Sequence, residues 1–331
     1  MPAVSVILPF HQVTPFLAPA VRSILDQTWR DLELLVVDNG TGTGLTALGR
    51  GADDPRVRLI SHPSNLGVAA AHNAARAAAR GEFVANMDSD DIALPMRIER
   101  QIAELRADPR LELLATHADV IDDRGRRLRA QFTLPEERDQ RIFSAYSLPI
   151  TNPTLMGRRA VFERFPMRGE FSVSSDYDFF ARAIESCSAR ALPEVLLQYR
   201  RHASQLTVSR QAAMVFNACL IRIVTARRRA GRPEKAEELL AGYSGWLARP
   251  PPPAECYARF AALALAEKLP LLAVFLARRS VSVQRTPGRL GAATRILGAA
   301  LAQCPRDAIR LLRMYATGPV RAPGLRPLAR R

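Results

Sequence analysis

GEFVANMDSDD, residues Gly81–Asp91, is the stretch from which the rest of the chain is read. Glu82 to Met87 has the apolar run of a buried strand, and it leads straight into Asp88, Asp90 and Asp91. Three carboxylates this close repel one another, and one of them is driven toward a raised pKa unless a positive charge lies between them. A divalent cation supplies that charge, and Mg2+ in particular is held by one or two carboxylates together with substrate phosphate oxygens. A strand ending in acids therefore predicts a metal–phosphate site on an α/β scaffold. The plain alternative is an acidic turn ahead of a helix, with no metal.

Working outward, Val4 to Leu8, Leu32 to Val37 and Val57 to Ile60 are further short apolar runs that read as buried strands. Pro15 to Gln27 and the Ala-rich Gly67 to Arg80 have helical spacing, with Gly81 placed as a C-cap residue. Alternating strands and helices predict a mostly parallel sheet with helices on both faces. In such sheets ligands sit beyond the carboxyl ends of the strands, and Pro9, Asp38 and Asp88 all fall there. The GTGTG run from Gly40 to Gly44 lacks the lysine and spacing of a phosphate loop and reads as a flexible turn. Farther on, Leu94 to Leu105 reads as a helix, Leu111 to His117 as a strand and Asp122 to Arg129 as a charged hairpin. Asn152 to Gly157 reads as a strand with an irregular start, Ser174 to Ile184 as a helix and Leu192 to Tyr199 as the last strand.

Beyond residue 206 strand signals stop. Gln211 to Arg229, Pro233 to Ala248, Glu255 to Glu267, Leu271 to Val281, Gly288 to Ala302 and Arg306 to Tyr315 read as helices, and the Pro/Arg-rich tail from Gly318 as disordered. The expected domains are thus 1–205, 206–317 and a tail 318–331.

The 331 residues carry a formal net charge of +15, and it is unevenly spread. Residues 200–331 hold 24 basic and 6 acidic side chains, whereas the preceding part holds 23 and 26. Such asymmetry points to an anionic partner such as a membrane surface; the competing reading is an Arg-rich coding bias. Nucleic acid is not expected, because aromatics are only 6% and no recognition motif occurs. Cys187, Cys219, Cys256 and Cys304 are far apart, with neither zinc spacing nor a disulfide framework. No basic n-region with an apolar h-region precedes Val4, so no signal peptide is expected. No window approaches the roughly 20 apolar residues that span a bilayer. These readings give a cytoplasmic protein, soluble or peripheral on the inner face of the membrane.

VSVILPF, SILDQTWRDLELLVVDNGT, SNLGVAAAHNAARAAARGEFVANMDSDD and SSDYDFFARA occur in one order over the first ~205 residues. In that order they resemble the family 2 glycosyltransferases, inverting enzymes of GT-A fold that use nucleotide-diphosphate sugars. The resemblance implies a GT-A domain plus a C-terminal all-α extension, with Mg2+ or Mn2+ as cofactor. Asp88-Ser89-Asp90 matches the DxD motif, with Asp90 and Asp88 on the metal and Asp88 near the ribose; Asp91 reads as a helix cap. Asp38 matches the aspartate that contacts the base, and Pro9 and Phe10 the loop against which the base lies. Asn65, Gly67 and Asn73 match a segment beside the nucleotide. His72 stands where arginine is frequent and reads equally as a surface histidine. Asp176 matches the general base, which takes the proton of the acceptor hydroxyl as it attacks the anomeric carbon. Ser175 stands where a glutamate is usual, and Asp178 competes for the same role. Tyr199-Arg200-Arg201-His202 matches a segment near the diphosphate, with Arg200 on phosphate and His202 as a third metal ligand.

The implied partners are a UDP- or dTDP-sugar donor and a hydroxyl acceptor, including lipid-linked glycans of bacterial cell-surface polysaccharide or glycolipid synthesis. Two other readings stand beside it. A nucleotide-sugar-binding module with weakened catalysis would account for Ser175. A sugar nucleotidyltransferase would place a Gly-rich basic loop after the first strand, where this chain has Pro9-Phe10-His11-Gln12 and no basic residue before Arg22.

Overall fold

The computed structural model describes residues 1–171 and 173–304. They form two compact units, the first ending at Ser209 and the second starting at Arg210. The expected helix from Arg306 to Tyr315 and the tail 318–331 lie outside the described residues.

In the first unit the chain order is β1 (Val4–Phe10), α1 (Leu17–Leu25), β2 (Leu32–Asn39), a 3-10 segment (Gly44–Asp53), β3 (Val57–His62), α2 (Val68–Ala78) and β4 (Phe83–Asn86). It continues with β5 (Ile92–Ala93), α3 (Arg97–Ala107), β6 (Leu113–Ile121), β7 (Arg127–Gln131), α4 (Glu137–Phe143), β8 (Met156–Arg158), α5 (Arg159–Arg164), α6 (Ser175–Ala183), β9 (Ala189–Arg200) and α7 (Leu206–Ser209). One sheet runs β3-β2-β1-β4-β8-β6-β9-β5, with β7 on β6. The first four strands are parallel, as crossover helices require. From β8 onward the sheet is mixed: β8 is antiparallel to both β4 and β6, and β9 returns parallel to β6.

Strand alternation divides the core into two layers. Val4, Val6, Leu8 and Phe10 of β1 pack with α1 and α3, while Ile7 faces the other side with α2, α5 and α6. Each fully buried Leu, Ile or Phe contributes roughly 1.5–3 kcal/mol of transfer free energy. Because Phe10 is two residues beyond Leu8 it belongs to the first core layer and is 2% exposed. Its ring is a core side chain, so only its backbone is left to the loop at the end of β1.

Gly81 has a different reason from the one expected. α2 ends at Ala78 with Ala79 extended, and Gly81 has no left-handed backbone. A Cβ there would stand 2.6 Å from Ser5 N and 2.7 Å from Val4 C. The residue is glycine because β1 passes against it.

The second unit contains α8 (Gln211–Arg229), α9 (Ala236–Gly242), α10 (Ser244–Ala248), α11 (Pro253–Ala266), α12 (Pro270–Val283) and α13 (Pro287–Gln303). Proline opens each of the last three, where its missing N–H costs nothing. The single helix expected over Pro233 to Ala248 is two, broken at Tyr243, whose ring stacks on Phe260 at 5.0 Å. Phe216 and Trp246 complete that aromatic cluster. None of the described helices is long and apolar enough to cross a membrane.

Candidate active site

β4 leaves the sheet after Asn86, and the chain turns tightly through Asp88–Asp91, closed by Asp91 N donating to Asp88 O. One oxygen from each of Asp88, Asp90 and Asp91 lies within 4.8 Å of the others, a set of hard oxygen donors suited to Mg2+ or Mn2+. Burial first, then the charges of Asp90 and Asp176, pushes the Asp88 carboxyl up to about 8 against the opposing pull of Arg97. Asp91 is fully buried, and burial, with Asp90 and Asp88, holds its carboxyl well above the usual range. Its Oδ1 accepts from Arg200 N at 2.8 Å, whereas its buried Oδ2 meets no hydrogen-bond donor among the described residues.

β9 delivers the other half of the site. His202 Nε2 lies 2.8 Å from Asp90 Oδ2, and its Nδ1 lies 2.9 Å from Ser204 Oγ, so the ring is held from both nitrogens. Phe16 packs against it with ring centroids 5.0 Å apart. The orphaned Asp91 oxygen, the clustered acids and a histidine nitrogen in direct contact with Asp90 fit a divalent cation.

Arg200 is the last residue of β9. Its Nε donates to Asp90 O, its Nη1 to Asp122 O and Asp123 O, and its guanidinium lies 4.6 Å over the Phe16 ring. Buried, it braces the acidic loop against the β6–β7 turn through Nε and Nη1.

A second buried arginine was not singled out in the sequence. Arg97, the first residue of α3, is fully buried under the acidic loop and donates to Asn86 O at 2.8 Å and to Gln101 Oε1 at 3.2 Å. Gln101 in turn donates to Leu114 O and Thr154 O. Burial lowers the Arg97 pKa to about 10, against the charges of Asp91 and Asp88. The signal was available: Arg97 and Gln101 stand one turn apart beside the apolar stripe Ile98, Ile102 and Leu105.

Asp176 lies in the first turn of α6, partly exposed, with Oδ1 accepting from Tyr177 N. Burial raises its pKa against those backbone bonds, and its charge reaches Asp88. Its competitor Asp178 is 1% exposed and clamped between Arg168 and Arg182. A carboxylate locked in two ion pairs is not free to collect a proton, and no ion pair forms on Asp176 among the described residues. Ser175 is buried with its hydroxyl against the Met167 sulfur.

Asp38 and Asn73, expected beside the nucleotide, and His72 all make contacts within the fold. Asp38 is 1% exposed and organises its own turn, Oδ1 accepting from Thr41 N and Thr41 Oγ1 and Oδ2 from Gly44 N. Burial tends to raise its pKa, but the bonds from Gly44 and Thr41 outweigh this and hold it low. The GTGTG segment is therefore ordered on Asp38. Asn73 exchanges two hydrogen bonds with the Met167 backbone, at 2.8 and 2.9 Å, tying α2 to the approach of α6. His72 is not a surface residue: at 2% exposure burial, then Arg76, lowers its pKa to about 3. Arg76, one turn on, is buried over the rings of Phe162 and Phe179.

Pro9, Asn65 and Gly67 stay at the open end of the parallel strands. Pro9 pairs with Val37 at the end of β1. Asn65 Oδ1 accepts from Gly67 N and from Asn39 Nδ2, while Asn39 Oδ1 accepts from Leu66 N. Asn39, not singled out beforehand, thus joins the loops after β2 and β3. Gly40 lets them meet, since its Cβ would stand 2.3 Å from Asn65 N at φ +90°.

Residues 5–168 match the profile of Glycosyl transferase family 2. These residues, most of the first unit, belong to this family. An uncharacterized glycosyltransferase from Methanocaldococcus jannaschii is 29% identical over 207 residues, 60% of this chain and 71% of that protein. Succinoglycan biosynthesis protein ExoO from Rhizobium meliloti is 29% identical over 223 residues, 63% of each chain. Among solved structures, S. aureus TarS 1-349 in complex with UDP-GlcNAc has a TM-score of 0.59 at 16% identity, covering 94% of this chain and 84% of that one. Mannosyltransferase PcManGT from Pyrobaculum calidifontis, in complex with GDP-Man and Mn2+, has a TM-score of 0.50 at 19% identity, covering 93% and 87%. This family 2 glycosyltransferase has the GT-A fold, with an Asp cluster where the parallel sheet ends.

Proposed function

We propose that this glycosyltransferase is a metal-dependent, inverting enzyme. It moves a sugar from a UDP- or dTDP-sugar to an acceptor hydroxyl in bacterial cell-surface polysaccharide or glycolipid synthesis. The observation that carries the reading is the convergence of β4 and β9: His202 bonds Asp90, Asp88 and Asp91 stand beside it, and Asp176 acts electrostatically on Asp88. The UDP-GlcNAc held by TarS, the Mn2+ held by the mannosyltransferase and the succinoglycan role in the name of ExoO lend support.

In this reading Asp90, Asp88 and His202 would hold Mg2+ or Mn2+, which would supply positive charge against the diphosphate of the donor. Asp176 accepts the proton of the acceptor hydroxyl, a role that its raised pKa and its freedom from ion pairs favour. Pro9, Asn65 and Gly67 frame the nucleotide with backbone and loop. Arg97 and Arg200 hold the acidic loop from beneath and behind. Catalysis resides in the first unit, with the basic helical part as an extension that favours an anionic membrane surface.

The test is transfer or hydrolysis of UDP- and dTDP-sugars, screened by mass spectrometry, before and after chelation and with Mg2+ or Mn2+ restored. Asp90→Asn and Asp176→Asn are each expected to lower turnover by a factor of about 10²–10⁴. The product is expected with inverted anomeric configuration by NMR. Full activity in both variants, or activity indifferent to chelation, sinks the assignment.

A further inference from the structure

Part of the positive charge of the helical unit is used internally. Arg222 is buried over the rings of Tyr257 and Phe275, Arg227 pairs with Glu267, Arg228 pairs with Glu234, and Arg289 donates to Ala254 O. The β6–β7 hairpin of the first unit is arranged differently. Asp122 closes its turn by accepting from Arg124 N and Arg126 N, with Gly125 at φ +81°. Beyond it β7 pairs with β6 alone.

The register slips by one residue there: Arg127 lies opposite Ile121 and Arg129 opposite Val120, so Leu128 is an extra residue between them. Leu128 and, just past the strand, Phe132 are exposed by 57% and 50%, with Phe132 edge-on to His117. Arg127 is paired with Asp119 and Arg126 with Asp122, but no carboxylate pairs with Arg124 or Arg129 among the described residues. Half-exposed Leu and Phe beside unpaired arginines suit the interfacial layer of an anionic bilayer, where rings and aliphatic groups enter the headgroup boundary and guanidinium groups meet lipid phosphates. The base of the hairpin is fastened to the acidic loop. Arg200 bridges Asp122 O and Asp123 O to Asp90 O, and Arg201 N donates to Ile121 O.

We propose that the hairpin over residues 122–132 is the docking surface of this enzyme on an anionic lipid bilayer, presenting the acidic loop to acceptors held in that bilayer. The inference rests on the membrane reading above for the class of partner, and goes beyond it in placing the contact on the catalytic unit.

The full chain is floated with phosphatidylcholine vesicles with and without phosphatidylglycerol. Wild type is expected to float only with phosphatidylglycerol present. Leu128→Ser/Phe132→Ser and, separately, Arg124→Glu/Arg129→Glu are each expected to lower partitioning about tenfold, with melting temperature and vesicle-free donor hydrolysis unchanged. The arginine pair is exposed and serves if the apolar pair fails to fold. Variants that float like wild type overturn the hairpin contact while leaving the membrane reading standing. Wild type that does not float overturns both. A concentration-dependent dimer that dissociates in Leu128→Ser/Phe132→Ser overturns the proposal in favour of a second copy as the occupant. Loss of vesicle-free hydrolysis in wild type bears on the proposed reaction alone.

Discussion

Asp176 and Asp178 stand two residues apart in the first turn of α6, and their surroundings give them opposite uses. Asp178 is buried between Arg168 and Arg182. Removing one member of such a group leaves buried charge without a counterion. Asp178→Asn is therefore expected to cost about 3 kcal/mol of stability in denaturant unfolding. Asp176→Asn is expected to leave stability within about 0.5 kcal/mol while transfer collapses. If Asp178→Asn melts like wild type, the clamp is not holding α6. At this scale the sequence shows residue types and spacing but not partners. It put both aspartates in one turn, and only the fold brings Arg168 from the preceding loop to one of them. The same holds for Asp38, Asn73 and Arg200, whose polar groups meet Gly44, the Met167 backbone and Asp122 O. Each contact joins segments that spacing cannot relate, apart from the turn beside Asp38.

Elements are more legible, because periodicity is local. The strands and helices of the parallel half lie within a few residues of where apolar runs and helical spacing predict them, since β1, β2 and β4 are buried throughout and the helices bury one regular face. The mixed half was harder to read. β8 is three residues long and β5 two, too short for a pattern to register, and their pairing decides where the sheet turns antiparallel. Two glycines separate backbone freedom from close packing. Gly67 caps α2 at φ +88° and ψ 165°, a region essentially confined to glycine, with open space around its Cβ position. Gly67→Ala is expected to cost about 1–3 kcal/mol from backbone strain alone. Gly81→Ala is expected to cost a similar amount by forcing β1 away, and Gly81→Val distinctly more. Equal loss for alanine and valine at position 81, by denaturant titration, would show that the β1 contact yields easily.

At the scale of the whole molecule, both main core layers draw their members from residues 3–197. A fragment of residues 1–209 is therefore expected to fold cooperatively and bind nucleotide on its own, by circular dichroism and calorimetry. A non-cooperative fragment would place essential packing in the helical unit. The stability of the chain should also fall in mild acid. Burial lowers the His72 pKa to about 3 from its ordinary 6.5, so the unfolded chain takes up a proton there before the native state does. The stabilising effect is complete above pH 6.5 and is lost as pH falls from 6.5 toward 3. His72→Leu should flatten the decline of melting temperature over that window, and a parallel decline in variant and wild type would exclude His72 as its source.

The sequence by itself determined the family, the parallel half of the sheet, the helical second unit and the acidic end of β4. These are written in apolar runs, helical period, carboxylates adjacent in the chain and the order of four motifs. Tertiary structure alone decided which of the polar residues remain available. It set His202 on Asp90 across 112 residues, placed Arg97 beneath the acids and buried His72. It also gave Asp38 and Asn73 contacts within the fold. Burial and partnership are sums over everything packed around a side chain, and those neighbours come from distant parts of the chain.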